Sequence, residues 1–548
     1  MKTSSLRTKF FVLITIGVLV VNVLLSAPQK AFTQTSKPNI LFVLVDDMDA
    51  YTINRDPEKY APNIKSLLID KGATFPNFFV NVSLCCPSRT NILRGQYAHN
   101  TGVLTNSSPD GGFQKAYSQG LEKETIATSL QANGYQTALI GKYLNGYPDT
   151  APNDTYIPPG WTEWYSPMEK GKNRKDQKKY GNPYDQENYT LNKNGKLVKY
   201  GDKAEDYGTD VYRDFAIDFI QRSTKDGKPF FVYLAPFNIH GPYTPAKRHR
   251  HLFPGVKAPR PDNFNEADVS NKPQFMQELP QLNQKKIDDV DESYRKRLRS
   301  LQSVDEAIDK LVDTLKANGQ LDNTYIIFTS DNGYKQGIHR ASTGKESAYE
   351  EDIRLNLVVR GPGIPSGKKL QEQVGNIDFF PTFTEMAGVK PPAFVDGRSF
   401  LPLLKGTTSN LPKWRSAFLI EHKQNQRRRA VLENQTKLLQ DQSDIEDQSE
   451  LEDQSELEDL SELQSLKKGG QVPKIPTYQA IRIQDYTYVE YKTGAKELYN
   501  IKKDPYQLNN LASTADPTLL KQLADRLSEL RTCKADSCRA IEEQPFTL

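Results

Sequence analysis

Five short apolar runs, separated by helix-like patterns, constrain the fold of this chain more than any other feature. The most continuous run is Asn39–Val45, whose sequence NILFVLV is rich in β-branched residues. A run without polar alternation is typical of a strand buried on both faces of a parallel sheet. The other four runs are 137–140, 230–235, 325–329 and 355–359.

Apolar residues at helical spacing occupy the segments between these runs. The predicted helices span 61–71, 124–133, 210–222, 294–318 and 377–387. Alternating strands and helices predict an α/β fold, with a large mixed, mostly parallel sheet flanked by helices. A chain of 548 residues is long enough to bury the large core that such a sheet requires.

Polar residues stand at the carboxyl ends of the predicted strands, where open α/β sheets bind their ligands. Two pairs of residues, Asp46-Asp47 and Asp331-Asn332, follow apolar runs and place four oxygen donors at adjacent strand ends. Oxygen donors without histidine or cysteine suit a hard cation, Ca²⁺ or Mg²⁺, rather than zinc. The alternative is ordinary turn and capping chemistry. The residues at these ends are Asp46, Asp47, Lys142, Asn238, His240, Asp331 and Asn332.

The sequence changes character near its carboxyl terminus. From Tyr478 onward apolar and polar residues alternate, and aromatic residues are frequent. This pattern predicts a small antiparallel sheet, followed by a helix near 517–531. We assign 476–540 to a C-terminal subdomain. The chain has four cysteines, too few for a disulfide scaffold. In an exported protein we expect Cys533 and Cys538 to form a short disulfide loop; free structural thiols are the alternative.

The first residues resemble an export signal. Lys2, Arg7 and Lys9 precede an apolar run at 10–25 and then small residues, so 1–31 is predicted to be a secretory signal peptide. The run is shorter than the ~20 residues of a spanning helix, although an uncleaved anchor is the alternative. Both interpretations place the chain outside the cytoplasm, secreted or periplasmic. We expect no integral membrane span beyond this leader.

An acidic low-complexity insertion, 438–470, is predicted between the catalytic region 37–420 and the C-terminal subdomain. Within it, units such as DQSELE repeat every six residues from 441 to 464. Apolar residues at that spacing fall on different faces of a helix, which favours a solvated segment. The 72 basic and 68 acidic residues leave a net charge of +4, too even to predict nucleic acid as a partner.

The segment Cys85-Cys86-Pro87-Ser88-Arg89 carries a family resemblance. It fits the pattern C-x-P-S-R and resembles the signature of the type I sulfatases, in the alkaline phosphatase superfamily. The resemblance extends from Asn39 to the C-terminal segment ELYNIKKDPYQLNNLA. It also includes NILFVLVDD, GYQTALIGKYLN, APFNIHGPY, TSDNGY and GKESAYEEDIRLNLVVRGPG. It implies an alkaline phosphatase-like fold.

The resemblance implies that a maturation enzyme, formylglycine-generating or equivalent, oxidises Cys85 to formylglycine, whereas Cys86 occupies a variable position. A hydrated aldehyde has two hydroxyls on one carbon. One attacks sulfur and expels the alcohol; deprotonation of the other ejects sulfate and restores the aldehyde. A helix starting near Pro87 would add a positive N-terminus that suits an anion. The alternative is a pair of ordinary buried thiols.

The resemblance also assigns a metal and the surrounding cations. It favours Ca²⁺ over Mg²⁺, and Arg89 lies one helical turn after Cys85 on the same face. Lys142 and Lys345 match two family lysines that contact sulfate, and His240 matches a histidine that binds sulfate and protonates the departing alcohol. The implied metal ligands are Asp46, Asp47, residue 85, Asp331 and Asn332.

One position departs from the common family pattern. Many relatives have G-K-x-H, whereas this chain has Leu144 in place of the histidine. That substitution resembles the N-acetylglucosamine-6-sulfatase branch, and it leaves open which base ejects sulfate. We expect the other histidines near these motifs, His99 and His339, to line the substrate pocket.

These observations predict an exported sulfuric ester hydrolase. The expected substrates are sulfated carbohydrates of the N-acetylglucosamine-6-sulfate or glycosaminoglycan type, or aryl sulfates. Two alternatives stay open: a phosphate or phosphonate monoester hydrolase of the same superfamily, and a catalytically inactive glycan-binding surface protein with an unmodified Cys85.

Overall fold

The central strand β1 (Asn39–Val45) is buried along its whole length, because both of its neighbours run parallel to it and both sheet faces are covered. These neighbours are β7 (Phe230–Ala235) and β8 (Thr324–Ser330). The computed structural model describes residues 37–169, 174–407, 413–425 and 471–546, so the predicted signal peptide 1–31 and the insertion 438–470 lie outside the described residues. Within these ranges, no helix combines the length and the apolar character needed to cross a bilayer.

The larger sheet has eleven strands within the described residues, in the order β10-β2-β9-β8-β1-β7-β3-β4-β5-β6, with β11 paired to β2. The central strands from β8 to β4 are parallel, whereas β9, β5 and β6 join antiparallel. The expected mixed, mostly parallel sheet is confirmed. The further strands are β2 (Ala73–Phe79), β3 (Gln136–Gly141), β4 (Glu163–Pro167), β5 (Thr190–Lys193), β6 (Lys196–Lys199), β9 (Arg354–Arg360), β10 (Lys368–Lys369) and β11 (Val374–Gly375).

Helices cover both faces of this sheet. The described α-helices are α1 (Ala50–Asn54), α2 (Pro57–Tyr60), α3 (Cys85–Arg94), α4 (Ala98–Thr101), α5 (Gly112–Ser118), α6 (Ile126–Ala132), α7 (Arg174–Tyr180), α8 (Gly208–Lys225), α9 (Gln274–Gln277), α10 (Gln284–Ala317), α11 (Glu350–Ile353), α12 (Phe379–Met386), α13 (Leu401–Lys405), α14 (Pro517–Leu530) and α15 (Asp536–Glu543). The predicted helix 61–71 is instead a short π-helix, Ile64–Ile69. The predicted helix 294–318 begins ten residues earlier, where the Asn283 side chain caps its first turn.

Alternate side chains of β1 enter two separate cores. Phe42 packs against Phe379 and Phe383 of α12 on one face, with ring centroids 4.8 and 5.3 Å apart. Leu41 and Val43 belong to the core on the other face, which α8 and α10 cover. This division follows from the two-residue period of a strand.

A second, smaller sheet is antiparallel and contains four strands, β12 (Ala417–His422), β13 (Tyr478–Ile483), β14 (Tyr486–Tyr491) and β15 (Lys496–Asn500). Its first strand precedes the insertion, in the region that the sequence analysis assigned to the catalytic part. The sheet therefore takes strands from both sides of 438–470. In the structure Cys533 and Cys538 form a disulfide, which joins the segment after α14 to α15.

Arg415 connects this smaller sheet to the rest of the chain. Its two terminal nitrogens donate to both oxygens of Asp378, at 2.6 and 2.7 Å, and its Nε donates to Glu542 at 3.0 Å. The side chains of Arg415 and of both carboxylates are fully buried. Asp378 therefore has a structural role, in which the Arg415 guanidinium compensates its buried charge.

We expect Arg415→Met to lower the free energy of unfolding by about 3–5 kcal/mol, because it leaves the buried Asp378 without a cation. The matched control is Arg222→Met, since that side chain is 46% exposed in its ion pair with Glu163. The control should cost less than about 1 kcal/mol. Urea unfolding followed by tryptophan fluorescence measures both, and equal losses would contradict this account.

Candidate active site

The carboxyl ends of β1 and β8 place two pairs of residues side by side, Asp46-Asp47 and Asp331-Asn332, which we call the acidic pairs because three of the four residues are aspartates. Val45 is in register with Ser330, so the next two residues of each strand leave the sheet together. The Asp47 backbone N–H donates to Asp331 Oδ1 at 3.2 Å, and Asn332 Nδ2 donates to Asp47 Oδ1 at 2.6 Å. Asp46, Asp47, Asp331 and Asn332 are all fully buried. The structure brings together the four predicted oxygen donors.

Cys85 is the first residue of helix α3, and the extended Leu84 caps it. The helix thus begins two residues before the predicted start and directs its positive end at the Cys85 side chain. Cys85 Sγ lies 3.4 Å from Asp46 Oδ1 and 3.0 Å from Lys345 Nζ. Ligand atoms of Asp46, Asp47, Cys85 and His240 lie within 4.8 Å of one another. The predicted reactive position and the acidic pairs therefore form one cluster.

Arg89 links helix α3 to this cluster. Its Nε donates to Asp331 Oδ2 at 2.8 Å, and its Nη1 donates to the Lys142 carbonyl at 3.1 Å. Burial and the nearby Asp46 raise the pKa of Asp331, whereas Arg89 opposes that rise. The Ser88 hydroxyl donates to the Asp331 carbonyl at 2.5 Å, which also fixes the helix against the end of β8.

Two lysines neutralise the β1 carboxylates. Lys142 Nζ donates to Asp46 Oδ2 at 2.6 Å, and Lys345 Nζ donates to Asp47 Oδ1 at 2.6 Å. Lys142 follows β3, and Lys345 lies in the loop between β8 and α11. His240, which follows β7, places Nε2 3.5 Å from Asp47 Oδ2. All three predicted cationic residues therefore surround the acidic pairs.

These charges shift one another's pKa values. Burial is the largest effect on Cys85 and raises the pKa of its thiol well above the ordinary value; Asp46 adds to this rise, and Lys142 and Lys345 oppose it. Burial alone would raise the pKa of Asp46, but Lys142 and His240 outweigh it and lower that pKa. Asp46 is consequently ionised, next to a neutral Cys85 thiol.

Two oxygen atoms in the cluster fit a cation. Asp47 Oδ2 and Asn332 Oδ1 are buried and accept no hydrogen bond from the described residues. Buried oxygen atoms of this kind are rare, because desolvation without a partner is costly. Carboxylate and amide oxygens are the donors that hard divalent cations prefer. The carboxylate and amide oxygens of this cluster therefore suit a hard cation, and the site does not require a cysteine or histidine ligand.

The contacts of His339 and His99 do not support the expectation that they line the substrate pocket. His339 is fully buried, with Nδ1 2.6 Å from Glu266 and Nε2 3.3 Å from the Asn263 amide nitrogen. His99 Nδ1 lies 3.1 Å from Glu421, and its Nε2 lies 2.9 Å from the Cys533 carbonyl. Both nitrogens of each ring are occupied by protein atoms, so these histidines connect chain segments.

Sequence reasoning missed Arg297, a fully buried residue of α10. Its Nη2 donates to the Asp47 carbonyl at 2.6 Å and to Asp49 Oδ2 at 3.1 Å, so it fixes the backbone that carries the acidic pair. One signal was available: Arg297 lies on the apolar stripe of the helix, between Tyr294 and Leu301. A charged residue at such a position requires a buried partner.

The departure at Leu144 has a structural consequence. Leu144 is buried in an apolar cluster that also contains Cys86, Phe113 and Tyr143. No proton acceptor stands at this position. The adjacent polar side chains are those of Tyr143, whose hydroxyl donates to Glu122 at 2.7 Å, and of Asn145.

The α/β fold and this buried ring of acids and cations define a hydrolase of anionic esters. The Sulfatase family model matches residues 38–389, and the chain belongs to the sulfatase family. A second match, to the N-sulphoglucosamine sulphohydrolase C-terminal family, covers residues 341–478. The chain is accordingly an enzyme that hydrolyses sulfuric esters, and its family implies a metal ion and a formylglycine.

Individual relatives cover nearly the whole chain. It is 35% identical to the N-acetylglucosamine-6-sulfatase of Capra hircus over 514 residues, 92% of this chain and 85% of that protein. It is 31% identical to the arylsulfatase of Volvox carteri over 540 residues, 92% of this chain and 76% of that one. The solved structure of BT4656 in complex with its substrate D-glucosamine-2-N,6-O-disulfate is similar in fold, with a TM-score of 0.70 and 22% identity, covering 93% of this chain and all of that chain.

Proposed function

We propose that this sulfatase removes sulfate from sulfated amino sugars of the N-acetylglucosamine-6-sulfate type, with aryl sulfates as further substrates. The observation that carries the proposal is the position of Cys85, which lies at a helix N-terminus between Asp46 and Lys345. The similarity to the N-acetylglucosamine-6-sulfatases over 92% of the chain supports the sugar substrate, and the weaker similarity to an arylsulfatase supports the second class.

Cys85 is the position at which we place the formylglycine. Once formed by a maturation enzyme, it supplies a hydrated carbonyl as the nucleophile. The chain's own residues prepare this position: the N-terminus of α3 favours negative charge there, and Lys345 Nζ lies 3.0 Å from Sγ. Cys86 points instead into the apolar cluster around Leu144, which suits a position without a chemical role.

We place Ca²⁺ among Asp46, Asp47, Asp331 and Asn332, with residue 85 beside them. The all-oxygen donor set supports a hard cation at this place, as do Asp47 Oδ2 and Asn332 Oδ1, which accept no hydrogen bond from the described residues. Such an ion supplies charge compensation for an anionic ester in a site that already contains three carboxylates.

The surrounding cations have distinct roles in the proposal. Lys142 and Lys345 bind sulfate oxygens, because both ammonium groups already point into the cluster. His240 binds sulfate and donates a proton from Nε2 to the departing alcohol oxygen, while its Nδ1 is held 2.8 Å from the Gly241 carbonyl. Arg89 keeps Asp331 in place through its 2.8 Å hydrogen bond.

We also propose that the protein is exported. The predicted leader at 1–31 is one support. The disulfide between Cys533 and Cys538 is an independent one, because such bonds persist in oxidising compartments outside the cytoplasm.

Cys85→Ala should lower kcat at least about 10³-fold, because it removes the only precursor of the nucleophile. Cys86→Ala, the matched control in the next residue, should retain activity within about tenfold, since it removes one sulfur atom from a core. Turnover of a sulfate ester and mass analysis of the Cys85 peptide check both. A fully active preparation in which Cys85 is an unaltered thiol would disprove the proposed nucleophile.

Asp47→Asn should weaken Ca²⁺ binding at least about tenfold, because it removes one anionic oxygen from the donor set. Calorimetric titration of chelator-treated protein with Ca²⁺, and separately with Mg²⁺, measures this. Asp305→Asn is the control, since Asp305 is also buried but accepts hydrogen bonds from the backbone N–H groups of Asn63 and Ile64. Unchanged Ca²⁺ affinity in Asp47→Asn would show that the ion binds elsewhere. Tighter binding of Mg²⁺ than of Ca²⁺ by the wild type would identify the ion as Mg²⁺.

The substrate proposal is tested with matched esters. N-acetylglucosamine 6-sulfate should have the highest kcat/KM, and 4-nitrophenyl sulfate should be turned over at least about tenfold better than 4-nitrophenyl phosphate. The reason is charge: a phosphate monoester brings a second negative charge close to Asp46, Asp47 and Asp331. Preferred hydrolysis of the phosphate, or of a phosphonate ester, would assign the chain to a different substrate class.

A further inference from the structure

Tyr184 lies beside two of the cations proposed to bind sulfate. It belongs to the short 3₁₀ turn Pro183–Asp185, between α7 and β5. Its ring centroid lies 4.6 Å from that of His240, with a tilt of 51° between the rings. Lys142 Nζ lies 5.0 Å from the same centroid. One aromatic ring thus contacts both residues, although they follow different strands of the sheet.

The Tyr184 ring is itself fixed by its surroundings. Phe237 packs edge-on against it, with centroids 4.8 Å apart. Asn145 Nδ2 donates to the Tyr184 hydroxyl at 3.2 Å, and that hydroxyl reaches Glu169 Oε2 at 3.5 Å, the outer limit of a hydrogen bond. The backbone N–H of Tyr184 donates to Asn182 Oδ1 at 3.3 Å. The ring is therefore held more by packing than by the hydrogen bonds of its hydroxyl group.

We propose that Tyr184 is a positioning residue, whose ring holds His240 in the orientation required for proton transfer; the contact of the ring with the Lys142 ammonium helps to hold the ring in place. This inference rests on the proposed roles of His240 and Lys142 in sulfate ester hydrolysis. An ammonium group over a tyrosine ring is stabilised by the electrons of that ring. A proton donor is effective only when it is held within a fraction of an ångström of its productive position.

An orienting role for Tyr184 predicts a difference between two substrates that general destabilisation of the enzyme would not produce. A sugar alcohol is a poor leaving group and needs the proton from His240, whereas 4-nitrophenolate departs readily without one. If Tyr184 acts by orienting His240, loss of its ring must slow hydrolysis of the sugar sulfate far more than hydrolysis of 4-nitrophenyl sulfate. A variant that merely lowers the amount of folded enzyme would slow both equally.

The experiment compares Tyr184→Leu with Tyr184→Phe on these two substrates. Tyr184→Leu should lower kcat about 10²-fold on N-acetylglucosamine 6-sulfate and less than about fivefold on 4-nitrophenyl sulfate. Tyr184→Phe keeps the ring and should stay within about threefold of the wild type on both. Tyr165→Leu is the matched control, because Tyr165 lies on the neighbouring β4 and stacks on Phe215 at 4.3 Å; it should slow neither substrate selectively.

His240→Ala separates failure of this inference from failure of the proposed function. If His240→Ala shows no dependence on the leaving group, the proposed proton donor is wrong and the inference falls with it. If His240→Ala is selective but Tyr184→Leu slows both substrates equally, the inference is overturned and the role of His240 stands. Should Tyr184→Leu fail to fold, Tyr184→Met fills a similar volume without a ring, and the same selective loss is expected.

Discussion

The compensation of buried charge at one edge of the sheet is the constraint on which the site depends. Three carboxylates are fully buried there, and each has a cation within 2.8 Å. An unpaired charge in such surroundings would cost several kcal/mol, so removing any one partner disturbs the others. The pairs are Asp46 with Lys142, Asp47 with Lys345, and Asp331 with Arg89.

These pairs join segments that are distant in the sequence, so the fold and the site are specified together. The acidic partners leave β1 and β8, whereas the cations come from the end of β3, from helix α3 and from a loop after β8. Parallel pairing brings these strand ends to one edge, and the register of β1 with β8 sets the spacing of the carboxylates. Because Lys142 and Lys345 are also the proposed sulfate contacts, the charges that stabilise the fold are the same ones that are proposed to bind the substrate.

The features that could be predicted from the sequence are those that leave a signal in a short stretch of residues. A continuous apolar run such as Asn39–Val45 identifies a buried strand, and a polar pair at its end identifies the edge where ligands bind. The features that it missed depend on distant partners. Strand β12 pairs with β13 across the insertion, and His99 is engaged by Glu421 and by the Cys533 carbonyl, more than three hundred residues along the chain. A lone histidine near a motif carries no local mark that separates a structural partner from a substrate contact.

The packing around Leu144 explains why a leucine at this position does not disturb the geometry of the site. Its side chain belongs to a large apolar cluster that also contains Cys86. The wall of the site beside Lys142 is formed instead by Tyr184 and Phe237, and Tyr184 is held there by Asn145. Tyr184 belongs to a 3₁₀ turn outside the sheet, whereas most of the paired charges follow its central strands. A turn of this kind tolerates sequence change more readily than a buried ion pair does, so sequence change there can alter the orientation of His240, the proposed proton donor, without breaking the charge pairs.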